Sequence, residues 1–100
     1  MIKKFFILQT ILGKTMEDVE TERSEIQRYI AFTLGFPTFT EINATLFNTE
    51  DGDGFEEFMK QLIDMSDIVV AQSGYEVSEL CKKLYSYAEV QGKEIYVREN

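Results

Sequence analysis

The sequence has no histidine and no tryptophan, one cysteine, one proline and six glycines in 100 residues. Without imidazole there is no Ser-His or Cys-His pair and no histidine metal ligand. The single thiol, Cys81, forbids an internal disulfide and a cysteine-rich zinc site, so a reducing, cytoplasmic setting without a metal or cofactor is expected. So little proline and glycine excludes a collagen-like or linker-rich chain. No apolar run approaches the ~20 residues needed to cross a bilayer. The opening run Phe5-Phe6-Ile7-Leu8, behind Lys3 and Lys4, is too short for a secretory core, and no small-residue cleavage site follows it. Asn43-Ala44-Thr45 matches a glycosylation sequon, which without export carries no meaning. Positive charge is also scarce: ten Lys+Arg against eighteen Asp+Glu leave a net charge of −8. Such a surface repels nucleic-acid backbones and anionic lipid, so neither nucleic acid nor membrane is an expected partner. It suits a basic partner protein instead, or simply keeps the chain soluble.

What remains is a globular composition, 44% hydrophobic and 28% charged, which excludes a disordered chain. The length fits one domain, residues 1–100, and not two. Residues 4–9 form a short apolar run that reads as a buried central strand. Thr15 is a good helix N-cap with Asp18 three residues on, and Glu17, Asp18 and Glu20 suit the positive end of a helix. Met16, Val19, Ile26, Ile30 and Leu34 repeat at helical spacing, which predicts one helix over residues 16–34, roughly 30 Å long. Gly35 stops it and Pro37 prevents its continuation.

Residues 38–42 alternate in a β-branched pattern and read as a second strand. Residues 43–54 form a polar loop. Phe55, Phe58, Met59, Leu62 and Met65 form a second helical stripe, and residues 67–71 a third strand that is apolar on both faces. Val77, Leu80, Cys81, Leu84, Tyr87 and Ala88 give a third stripe, ended by Gly92. Residues 94–97 form a last strand, and Arg98, Glu99 and Asn100 are expected to fray. The order β-α-β-α-β-α-β predicts an α/β fold: a small three-layer, flavodoxin-like sandwich around a four-stranded parallel sheet.

In such sheets ligands bind beyond the carboxyl ends of the strands. That edge collects the loops 9–15, 43–54 and 72–77. Gly13-Lys14-Thr15 lacks the earlier glycine of a phosphate loop, since that position is Leu8, and kinase or ATPase chemistry is excluded. A helix opening there still offers backbone N–H groups, the Lys14 ammonium and the Thr15 hydroxyl to an anion; a capped helix with a solvated lysine explains the same residues. Asp51-Gly52-Asp53-Gly54 is not a calcium loop, because Thr49 and Lys60 fall where ligands are needed. Ser73, Gly74 and Ser78 line the start of the third helix, where capping alone also accounts for Ser78 and Glu79. Cys81 lies on the apolar stripe and reads as a core residue. Tyr75, Tyr85, Tyr87 and Tyr96 cluster late in the chain, where packing or a subunit contact is expected before base stacking.

The chain resembles small phage and bacterial relatives of the nucleoside 2-deoxyribosyltransferases. Gln9-Thr10-Ile11-Leu12-Gly13-Lys14-Thr15 is similar to their Gln-Pro-Met-x-Gly-Lys-Thr-like loop, with Thr10 and Ile11 in place of Pro and Met. Met65-Ser66-Asp67-Ile68-Val69-Val70 is similar to their Met-Ser-x-Ala-Asp-Val-Val-Val-like strand in shortened form. Ser78 and Cys81 match a Ser-x-Gly-Cys-x-x-Glu helix, but Leu80 replaces the glycine and Leu84 the acid. That glutamate is the family's nucleophile at the anomeric carbon, where a carboxylate forms the glycosyl intermediate or stabilises an oxocarbenium-like state. Leucine does neither. The resemblance therefore implies a phage- or mobile-element-encoded nucleotide- or nucleoside-binding domain without catalytic residues. Gln9, Gly13, Lys14, Thr15, Ser73, Gly74 and Ser78 would hold a small anionic ligand such as a nucleotide, with no cofactor. Two alternatives stand beside it: an N-glycosidase or deoxyribosyltransferase with a carboxylate relocated to Glu79 or Glu76, and an acidic inhibitor presenting Glu50, Asp51, Asp53, Glu56 and Glu57 to a basic host protein. A homodimer is expected, because a four-stranded sheet leaves open edges.

Overall fold

The computed structural model describes residues 2–10, 13–42 and 55–99. The predicted loop 43–54, with its sequon and acidic tip, lies outside the described residues, as do Ile11 and Leu12. Four strands, β1 (Lys3–Leu8), β2 (Phe39–Ile42), β3 (Ile68–Gln72) and β4 (Glu94–Arg98), form one sheet in the order β2-β1-β3-β4. Every pairing is parallel. Three helices accompany them: α1 (Met16–Arg28), α2 (Phe55–Met65) and α3 (Glu79–Val90).

The apolar runs at the centre of the sheet follow from cover on both faces. All five residues of β3 are buried, as are the last four of β1. Phe5, Ile7, Ile68 and Val70 pack under Ile26 and Ile30 of the first crossover. Phe6, Leu8, Val69 and Ala71 pack on the other face against Met59 and Ile63 of α2 and Cys81, Leu84 and Ala88 of α3. The period-2 alternation of a strand divides the two cores cleanly. Fully burying each of the large side chains contributes about 1.5–3 kcal/mol. Phe5 also meets Phe36 and Phe39 edge-on, at centroid separations of 5.2 and 5.5 Å. The α/β sandwich with a four-stranded parallel sheet is therefore as predicted.

Several details differ from the spacing argument. The first helix is not α-helical to its end. It widens into a π-helical turn over Tyr29–Thr33, where Leu34 N–H donates to the Tyr29 carbonyl at 3.0 Å and Phe36 N–H to the Ile30 carbonyl at 3.1 Å. Gly35 then ends it at φ +83, a conformation that glycine adopts without steric cost. Met16, Met65 and Val77, expected on buried stripes, are exposed. Met16 and Met65 lie at the ends of their helices. Val77 belongs to a 3-10 turn (Tyr75–Val77) that precedes α3. Arg98 does not fray: it pairs with Gln72 as the last residue of β4.

Candidate functional site

The carboxyl ends of β1 and β3 lie side by side, with Leu8 paired to Ala71, and the connections from these two central strands leave toward opposite faces. This is the point at which strand order reverses, the place where open α/β sheets hold ligands. Gln9 follows directly. It is 8% exposed, and its Nε2 donates to the Val19 carbonyl at 3.0 Å and to Glu22 Oε1 at 2.9 Å. Those two acceptors fix the orientation of the amide. Its Oε1 is left buried without a hydrogen-bond partner among the described residues. An unmet buried acceptor costs about 1–3 kcal/mol, so it would be relieved by a ligand donor.

Glu22 joins two of the predicted site residues. Its Oε1 also accepts from Lys14 Nζ at 2.7 Å, and both side chains are largely shielded. A second polar group sits at the ends of β3 and β4. Arg98 donates to Gln72 Oε1 at 2.6 Å and to Glu25 Oε2 at 3.3 Å, and Gln72 is buried. A third lies on the β2 side, where Glu41 accepts from Gln27 Nε2 at 2.8 Å and stands 3.7 Å from Arg23 Nε. Polar residues of α1 thus reach β2 on one flank and the ends of β1 and β4 on the other, with Val19 and Ile26 buried beneath. Helical geometry dictates this: residues 23 and 27 share one flank, and residues 22 and 25 the other.

The remaining predicted residues are distributed as follows. Thr15 is the N-cap of α1, its Oγ1 accepting from Asp18 N–H at 3.1 Å, and Gly13 is exposed in the turn before it. Ser73 N–H donates to the Arg98 carbonyl at 2.8 Å, which ties the loop after β3 to β4. Gly74 takes φ +98 to open the 3-10 turn, a conformation that strains any side chain. Ser78 is buried, and its Oγ accepts from Cys81 N–H at 3.2 Å, which caps α3. Gln9 and Lys14 are therefore bonded to a common partner, whereas Thr15 and Ser78 serve as caps.

Glu22, Gln72, Arg98 and Glu25 were missed by sequence reasoning. The available signal was position: Gln72 closes a buried apolar strand at the ligand-binding edge. Of the carboxylates considered as relocated acids, Glu79 is paired with Lys82 at 2.8 Å on the surface, and Glu76 is exposed. The Lys82 hydrogen bond holds the Glu79 carboxyl below its usual range. Leu84 is 1% exposed within the core between α2, α3 and the sheet. Cys81 is buried in the same core. Among the tyrosines, Tyr75 stacks on Tyr85 at 4.8 Å, and Tyr87 O–H donates to both Asp64 oxygens at 2.8 and 2.9 Å. In the acidic stretch, Glu56 is paired with Lys60 and Lys83, and the Lys60 hydrogen bond lowers its pKa. Among the described residues, no group of three or more acidic or cysteine side chains could hold a metal ion, and no helix is long and apolar enough to cross a membrane.

No family model matches the chain, and no curated protein sequence matches it. Among solved structures it is similar to the CMP N-glycosidase BcmB of Clostridium botulinum. The TM-score is 0.60 at 23% identity, over 97% of this chain and 69% of that one. At that identity the likeness is one of fold, and it agrees with the fold that the resemblance in sequence implied.

Proposed function

We propose that the chain is a nucleoside- or nucleotide-binding domain that holds its ligand at the ends of β1 and β3 and does not cleave the glycosidic bond. The observation that carries this reading is Leu84, which fills the core where the resemblance would put a nucleophilic carboxylate. The shared fold supports a ligand of the nucleoside class. The buried Gln9 Oε1 suits a sugar hydroxyl or base amine, both of which donate hydrogen bonds. A phosphate would draw Lys14 away from Glu22, beside the N–H groups that open α1.

A thermal-shift panel of nucleosides and their 5′-monophosphates tests it. Ligand at 100 times its Kd stabilises by about 2.7 kcal/mol, which raises the Tm of a domain this size by several degrees. Lys14→Ala is expected to abolish the monophosphate's advantage over the nucleoside, and Gln9→Leu to weaken both. A panel without any shift overturns the reading. One observation favours a second reading. Glu22 is a shielded carboxylate at the same edge, able to stabilise an oxocarbenium-like sugar. Release of base from the same panel, lost in Glu22→Gln and kept in Glu79→Gln, would replace the binding domain with an N-glycosidase.

A further inference from the structure

β4 is an edge strand whose charged residues, Glu94 and Arg98, stand only at its ends, leaving its centre unguarded. On its inner side it bonds β3, and the Arg98 carbonyl accepts from Ser73 N–H at 2.8 Å. Backbone direction alternates along a strand, so Glu94, Tyr96 and Arg98 turn their N–H and C=O groups toward β3. Ile95 and Val97 turn theirs outward. Among the described residues no strand lies on that outer side. The register with β3 is continuous, so no bulge twists the edge away, and Ile95, Tyr96 and Val97 at its centre include no charge and no proline. The opposite edge is protected. Pro37 lies just ahead of β2, and Glu41 stands within it.

We propose that this edge pairs antiparallel with the same edge of a second copy, about a twofold axis at Tyr96. The sequence is self-complementary in that register. Glu94 lies opposite the partner's Arg98, Ile95 opposite the partner's Val97, and Tyr96 opposite the partner's Tyr96. One step farther out, Lys93 lies opposite the partner's Glu99. Opposite charges therefore meet at both ends and apolar side chains in the middle, the pairs that stabilise antiparallel strands. Moving the axis to Ile95 or Val97 would set charged residues against apolar ones, so a single register is selected.

The faces agree as well. A twofold axis perpendicular to the sheet keeps like faces together. Tyr96 packs on the α1 side and Ile95 on the side of α2 and α3. Because Tyr96 directs its backbone inward, the axis passes through a non-hydrogen-bonded pair. The outward groups of Ile95 and Val97 then exchange bonds with the partner's Val97 and Ile95. Arg98 uses two of its nitrogens on Gln72 and Glu25 and retains N–H donors for the partner's Glu94. The interface is short and joins two chains of charge −8, so association is reversible and sits at the small end of specific contacts.

Sedimentation velocity over a concentration series tests the proposal, with a monomer–dimer equilibrium expected. Val97→Pro removes an outward N–H and no bond within the sheet. It is expected to lose the dimer while keeping its circular dichroism. If proline perturbs the strand, Val97→Lys serves the same purpose by setting a charge opposite the partner's Ile95. Tyr96→Cys is expected to give a disulfide-linked dimer on mild oxidation. Cα atoms across such a pair lie about 4.5 Å apart, within disulfide range, and the native thiol is buried. A chain that stays monomeric throughout, or a dimer that both Val97 variants leave intact, overturns the proposal.

Discussion

On the proposed reading, Leu84 stands where the resemblance would put a nucleophilic acid. It touches the packed layer between α3, α2 and the sheet, so truncating it removes core volume that neighbours cannot refill. Leu84→Ala is expected to cost about 2–5 kcal/mol in urea unfolding, a large part of the ~5–15 kcal/mol that stabilises a typical domain. Leu84→Glu should cost more, because it buries an unpaired carboxylate, and it should release no base from nucleosides. Single residues were unevenly legible in the sequence. Gln9 and Lys14 stood out as part of a motif, but Glu22, which joins them, looked like one more solvated acid on a charged helix. Ile63 lies outside the predicted stripe and is nonetheless fully buried. The spacing of Phe55, Phe58, Met59, Leu62 and Met65 shows that α2 has an apolar face, while contact with the sheet decides that Met59 and Ile63 lie deepest.

Elements were read more reliably than residues, because each strand and helix repeats its signal over several positions. Thr15, Gly35 and Ser78 marked boundaries through capping chemistry that acts locally. The π-helical turn carried no such mark. It adds one residue to a helix whose apolar positions on either side still reach the core, so the pattern of Ile26, Ile30 and Leu34 reads the same with or without it. Removing that extra residue is therefore expected to be tolerated. Deletion of Phe32, which is 84% exposed, should leave a folded chain with cooperative melting. Deletion of Ser24 in the regular part of α1 should rotate Ile26 and Ile30 by about 100° away from the sheet and abolish the transition. Arg98 carries no local sign of order for a related reason: its place in β4 depends on Gln72 and Glu25, which are distant in sequence.

Across the whole molecule, the alternation of strands and helices pointed to a parallel sheet with cover on both faces. The lateral order β2-β1-β3-β4 depends on tertiary contacts that no local pattern records. The same assembly sets the response to alkali. Tyr75 and Tyr96 are held above the usual 10.0 chiefly by burial, and Tyr87 chiefly by its hydrogen bond to Asp64. Each hydroxyl ionises first in the unfolded chain. Their contribution to stability is therefore fully present below a pH near 10 and is lost as the pH rises through the higher folded values. Urea midpoints measured across that range should fall, and Tyr75→Phe and Tyr87→Phe should flatten the fall. Cys81 has a different consequence. It is the one sulfhydryl in the chain, shut between α3 and the sheet, so an alkylating reagent reaches it when that layer opens. The rate of its modification, followed on the unaltered protein, clocks the breathing of the interior.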